Sequence, residues 1–208
     1  VGKVLGNAGP CLIRNASQGR FTLVGVMRFD VADFQSLLND GRIDDVILHE
    51  MLHVLGFGTL WEFKGLGINP GTPSTAFVGV GAIHGCIASG GGSVCSNSVP
   101  LESSGGKGTA DGHWSETVFR AELMTGYVSP VGVHNPLSAM TIGSLADLGY
   151  VVNLADDDSY ALASAGGAAF ERIREAQGGA AGGYTEAPMR PRGEIDRFGR
   201  VTPIPEIK

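Results

Sequence analysis

The chain has 208 residues, 43% of them hydrophobic, enough for one large domain or two small lobes with a real core. Its 21 acidic and 15 basic residues give a net charge of −6, and no Lys/Arg cluster marks a nucleic-acid surface. His49, Glu50 and His53 interrupt the most apolar region, 46–61, so no stretch reaches the roughly 18 uncharged apolar residues of a membrane span.

The chain starts at Val1, with neither a Met nor a charged-then-apolar leader, which reads as a mature form, a processed product or a fragment. The first predicted element is a strand over Phe21–Phe29, with Phe21, Leu23, Met27 and Phe29 on one face and Thr22 and Arg28 on the other. A polar turn at Asn39, Asp40 and Gly41 then precedes a predicted helix over Arg42–Leu55. Asp44 and Asp45 lie near its positive end, and Gly56 sits just past its C-terminus.

Residues 58–112 are rich in Gly, Ser, Thr and Pro and read as a long loop insertion with short strands. Such a length inside a compact domain points to the wall or lid of a binding site. Cys86 and Cys95 lie close enough in this insertion to close a small disulfide ring in an oxidising compartment, leaving Cys11 over; the alternative is three ordinary thiols.

Order resumes at His113–Met124. A further helix is predicted over Thr141–Leu148, stopped by Gly149 and followed by a short strand, Tyr150–Val152. Asp156, Asp157 and Asp158 could offer oxygens to a structural Ca²⁺, but a run of solvated charges is the better account of them. Beyond Asp158 the composition turns Ala/Gly-rich and then Pro/Arg/Glu-rich, which predicts a helix fragment around Ala168–Ala176 and then a tail or linker. The expected organisation is therefore a domain over 1–158, divided at 56 and 112, and a second segment over 159–208.

The helix over Arg42–Leu55 carries apolar residues on nearly every face, the pattern of a buried helix. An imidazole or carboxylate buried there without a partner costs several kcal/mol, so His49, Glu50 and His53 need one. The two histidines, spaced i, i+4, share one face at the separation two ligands of one tetrahedral ion require. Glu50 projects about 100° away, where it can act on water without displacing it, which is the HExxH arrangement of zinc peptidases. Imidazole ligands on a rigid helix favour Zn²⁺, and a catalytic zinc needs a third protein ligand.

In the compact spacing HExxHxxGxxH that ligand would fall at position 59, which is Thr59. Of the other histidines, His84 and His134 read as surface-loop residues. His113 follows Gly112 at the end of the flexible insertion and precedes Trp114, which can anchor the returning chain. A gluzincin-type site with Glu116 or Glu122 as ligand is the alternative, and a non-catalytic zinc-bearing adhesion or binding domain is another.

HEMLHVLGFGTLW, DGHWSETVFRAELMTG and NPLSAMTIGSLADLGYVV, in that order, resemble successive motifs of the leishmanolysin-like metzincin peptidases over about Gly25 to Tyr150. The resemblance implies an α+β fold. A mixed sheet and the active-site helix form its N-terminal lobe, which is truncated here because 48 residues precede His49, and its C-terminal lobe is irregular and loop-rich. It further implies a zinc endopeptidase with His49, His53 and His113 as ligands and Glu50 as general base. Gly56 would close the helix, and Met140 would form an apolar floor beneath the metal, a residue that spacing alone assigns to the core. Peptide or protein substrates would pair with the Phe21–Phe29 strand, and the protein would be secreted or attached to the cell surface.

Overall fold

The computed structural model describes residues 6–162 and 189–205, which build an α+β fold with a mixed sheet. Strands β1 (Gly6–Arg14) and β2 (Thr22–Phe29) form an antiparallel hairpin with Gly6 opposite Phe29. β1 was not predicted, because GNAGPCLIR has little apolar alternation. Pro10 cannot donate to a ladder, and the register shifts just after it. β2 begins one residue later than predicted, and its sides do not divide cleanly, since Leu23, Val24 and Met27 are all exposed. It is an outer strand of the sheet, and Phe21 leaves it to pack edge-on against Tyr150 at 5.0 Å.

Helix α1 (Val31–Asn39) is capped by Asp30, whose carboxylate accepts from Ala32 N. Helix α2 (Ile43–Leu55) matches the predicted helix to within a residue and ends at Gly56, which takes a left-handed φ of +117°. α2 lies across the hairpin. Gly25 of β2 lets the helix approach closely, because a β-carbon there would come within 2.3 Å of Val54 Cγ1. Thr22 Oγ1 and Tyr150 Oη donate to the last carbonyls of α2, those of Val54 and Leu55, at 2.7 and 2.8 Å.

The insertion is more regular than expected. It contains α3 (Trp61–Lys64), a small sheet of β3 (Gly67–Ile68), β4 (Ala76–Phe77) and β5 (Val99–Pro100), and α4 (Val80–Cys86). Cys86 and Cys95 are joined as a disulfide, and Cys11 is free. Glycines that argue against helix in isolation are used in α4 for contact. α5 (Glu116–Phe119) and α6 (Ala139–Asp147) follow, and α6 packs backbone to backbone on α4. A β-carbon at Gly81 would meet Gly143 O at 2.4 Å, and one at Gly143 would meet Gly81 O at 2.3 Å. Asp147 closes the pair by accepting from Gly81 N and Ala82 N at 2.8 and 2.9 Å.

Three further expectations are corrected. α6 starts at Ala139 rather than Thr141, because Ser138 caps it by accepting from Thr141 N. Tyr150–Val152 is not a strand: Val151 stands in solvent while Tyr150 returns to α2. The end of the chain is not a free tail over residues 189–205. β6 (Gly193–Ile195) pairs parallel with β1, and β7 (Val201–Pro203) pairs antiparallel with β6. Composition misses this because the attachment is largely main-chain, with Met189 N donating to Ala8 O at 2.6 Å and Arg192 N to Cys11 O at 2.9 Å. The helix expected around Ala168–Ala176 lies outside the described residues. Among the described residues no helix is long and apolar enough to cross a membrane.

The core is largely aromatic. Phe57, Trp61, Phe77, Trp114 and Phe119 are buried together, with Trp114 5.0 Å from Phe57 and 5.4 Å from Trp61. Because α4 and α6 meet through backbone, Gly143→Ala should reverse the usual helix preference for alanine. It should cost about 1–3 kcal/mol by overpacking, read as a melting temperature several degrees lower in calorimetry.

Candidate metal centre

One turn of α2 places His49 and His53 side by side, and the chain leaving the insertion brings His113 onto the same point. The three Nε2 atoms lie 2.9 Å (His49–His53), 3.0 Å (His53–His113) and 3.3 Å (His49–His113) apart. All three rings are buried. Each Nδ1 faces a main-chain carbonyl: His49 that of Leu123 at 2.6 Å, His53 that of Phe57 at 3.0 Å and His113 that of Thr109 at 2.9 Å. A carbonyl can only accept, so each Nδ1 carries the proton and each Nε2 presents a lone pair to the common centre. Three lone pairs facing one another at about 3 Å fit a cation, and the three buried histidines can hold a metal ion.

Two glycines let His113 arrive. Gly58, at φ +68°, lies against Gly112, since a β-carbon on it would sit 2.2 Å from Gly112 O. Gly126 leaves room for Thr109 and the His113 ring. Trp114 then fixes the return through the aromatic core and through Nε1, which donates to Thr141 Oγ1 at 2.8 Å.

Glu50 is on the same helix and buried, but it is not part of the three-histidine group. Its carboxylate packs against the start of β1, where a β-carbon on Gly6 would lie 1.8 Å from Oε1. The strand that reaches Glu50 is thus β1. β2, expected to receive substrate, lies one strand further out, with Phe29 opposite Gly6.

Thr59 stabilises the helix end instead of binding metal, its Oγ1 donating to His53 O at 3.0 Å. Gly56 closes α2 as expected, and Met140 is fully buried in the first turn of α6. His84 is exposed on α4, and His134 is exposed with Nδ1 2.9 Å from Asp45. Neither Glu116 nor Glu122 joins the histidines. Burial pushes the Glu122 carboxyl above its ordinary range, and hydrogen bonds from Thr141, Ser138 and Met124 pull it back. Asp156, Asp157 and Asp158 are exposed, with Asp158 accepting from Leu137 N and Asp156 from Asn153 Nδ2, both at 2.8 Å. The three aspartates form no metal-capable cluster, in keeping with a run of solvated charges: among the described residues the three histidines are the group of His, Cys, Asp and Glu side chains that could hold an ion.

A small recess beside His49 is lined by Val46, Leu123, Tyr127, Val128 and Asn135. A larger cleft of about 290 Å³ opens beyond Gly58, between Trp61, Glu62, Ile68, Leu101, Asp111 and Arg190. Compared with family models, curated proteins and solved structures, the chain matches none.

Sequence reasoning missed Gly6, Gly58 and Gly126, whose roles lie in contacts distant along the chain. Gly6→Ala should leave metal content unchanged, because it touches no histidine, while pushing the Glu50 carboxylate aside. Any reaction that uses Glu50 should then slow by about 10- to 100-fold, part of the 10²–10⁴ that a positioned acid/base supplies. Elemental analysis alongside activity would check it, and an unchanged rate would mean that Glu50 is not held by this contact.

Proposed function

We propose that the chain is a zinc-dependent endopeptidase of the metzincin, leishmanolysin-like type. The observation that carries this reading is the convergence of three Nε2 atoms at 2.9–3.3 Å, with a buried carboxylate on the next residue of the same helix. A tetrahedral zinc with bonds of about 2.0–2.1 Å separates its ligands by about 3.3 Å, close to the spacing found. His49, His53 and His113 would hold the ion, and a fourth position would stay open for chemistry. When bound, zinc supplies a Lewis acid that polarises a peptide carbonyl and brings the pKa of water near 7.

The rest falls to this chain. Glu50 takes the proton of the attacking water and passes it to the leaving amine, so that one carboxylate serves as base and then as acid. Its carboxylate is seated against Gly6, where no side chain competes for the space. The cleft beyond Gly58 is available to a peptide's side chains. Met140, buried at the start of α6, would form the apolar floor that the metzincin resemblance implies. The Cys86–Cys95 disulfide suits an oxidising compartment and supports a secreted or surface-attached protein acting on peptides or proteins.

Protein purified without chelator should contain one zinc per chain and cut an unfolded protein substrate. Removal of zinc should abolish cleavage, and its return should restore it. Glu50→Ala should keep the zinc and lose at least about 10²-fold in rate, whereas His113→Ala should lose both. Iron or copper in place of zinc would overturn the reading, and a zinc-loaded chain without hydrolysis would leave a binding domain in its place.

A further inference from the structure

Glu122 is fully buried, and its carboxylate is surrounded by donors. Oε2 accepts from Met124 N at 2.5 Å, and Oε1 accepts from Ser138 Oγ at 2.7 Å and Thr141 Oγ1 at 2.5 Å. The hydroxyl directions are set from behind. Thr141 Oγ1 receives Trp114 Nε1–H and Ser138 Oγ receives Thr141 N–H, and each hydroxyl donates its own proton to Glu122 Oε1. The carboxylate therefore serves as an acceptor on both oxygens.

Met124 N and Leu123 O belong to the same peptide unit. Glu122 holds the N–H side of that unit, and His49 Nδ1 donates to its C=O side at 2.6 Å. Of the three histidine-to-carbonyl contacts this is the shortest, against 3.0 Å for His53 and 2.9 Å for His113. Hydrogen bonds in series polarise one another, so a carboxyl oxygen accepting from the N–H makes the carbonyl oxygen a stronger acceptor. A ring that donates to a stronger acceptor is in turn a more basic ligand through its other nitrogen.

We propose that Glu122 is a positioning residue for the metal, acting through the Leu123–Met124 peptide as a carboxylate–peptide–histidine relay that orients His49 and raises its basicity. The relay also ties the other side of the site: Thr141 joins Glu122 to Trp114, which adjoins His113, and Trp114 N donates to Met124 O at 3.0 Å. This rests on the reading of the three histidines as a zinc site, and it does not require that the zinc-loaded chain cut peptides.

Glu122→Gln keeps the shape but turns one acceptor into a donor. It should weaken zinc binding by about 10- to 100-fold in competition with a chromophoric chelator, the usual effect of losing a group that orients a ligand. In proton–nitrogen spectra of the zinc-loaded protein, the His49 Nδ1–H resonance should move upfield while those of His53 and His113, whose carbonyls Glu122 does not touch, stay in place. Zinc affinity within twofold of the parent, or a common drift of all three resonances, would overturn the relay and leave Glu122 as ordinary packing. If the Gln variant does not fold, the unmodified protein decides. Its His49 Nδ1–H should resonate furthest downfield of the three, and a His49 signal indistinguishable from the other two would overturn the proposal. Tight zinc without hydrolysis would sink the endopeptidase reading alone.

Discussion

Three imidazole nitrogens that point lone pairs at one another across about 3 Å repel unless something holds each ring in place. Here the holding is done by three carbonyls, of Leu123, Phe57 and Thr109, from three separate segments of chain. Each carbonyl fixes one tautomer and one ring orientation, so the site is only as accurate as the loops that carry them. Much of the fold serves this requirement. The Gly56–Phe57 turn leaves α2 so that Phe57 O comes back under His53, and Thr59 holds the same turn by donating to His53 O. Thr109 lies four residues before His113, so the third histidine and its own carbonyl arrive on one loop.

That loop closes a separation of 60 residues between His53 and His113. Closure entropy grows only with the logarithm of length, so the separation itself is a modest penalty. Accuracy is the harder demand, and the aromatic core answers it. Trp114 is fully buried among Phe57, Trp61, Phe77 and Phe119, so the residue after the ligand is fixed by packing on both helix and insertion. The close passage of Gly58 against Gly112 then leaves His113 little choice of position.

The clustering of His49, His53 and His113 was legible because it is written in residue types at spacings a helix or a loop can be reasoned over. The helix over Arg42–Leu55 and the pairing of Cys86 with Cys95 were legible for the same reason. What was illegible depends on main-chain partners. β1 and β6 join through backbone hydrogen bonds with little apolar pattern, so neither strand has a periodicity to read. α4 is glycine-rich because it touches α6 by backbone, which inverts the usual meaning of glycine. In the sequence Glu122 reads only as an alternative metal ligand, beside Glu116, in a gluzincin-type site. Its binding of a peptide N–H and two hydroxyls depends on α6 being beside it, which no local pattern reveals.

The two chemical parts of the site stand on different supports. The histidines are oriented by loop carbonyls and, through Trp114 and Glu122, by the α6 side of the molecule. Glu50 is seated by the first residue of β1, a strand flanked by β2 on one side and, further along, by β6 on the other. β6 and β7 therefore contribute to Glu50 indirectly: β6 pairs with the far end of β1 over Leu12–Arg14, β7 pairs with β6, and Arg20 adds an ion pair to Glu194 at 2.9 Å. A disturbance of the sheet should displace the carboxylate before it loosens the histidines, and a disturbance around α6 should do the reverse. The histidine cluster and the Glu50 carboxylate are thus separately supported on one helix, because neighbouring residues on it meet different parts of the fold.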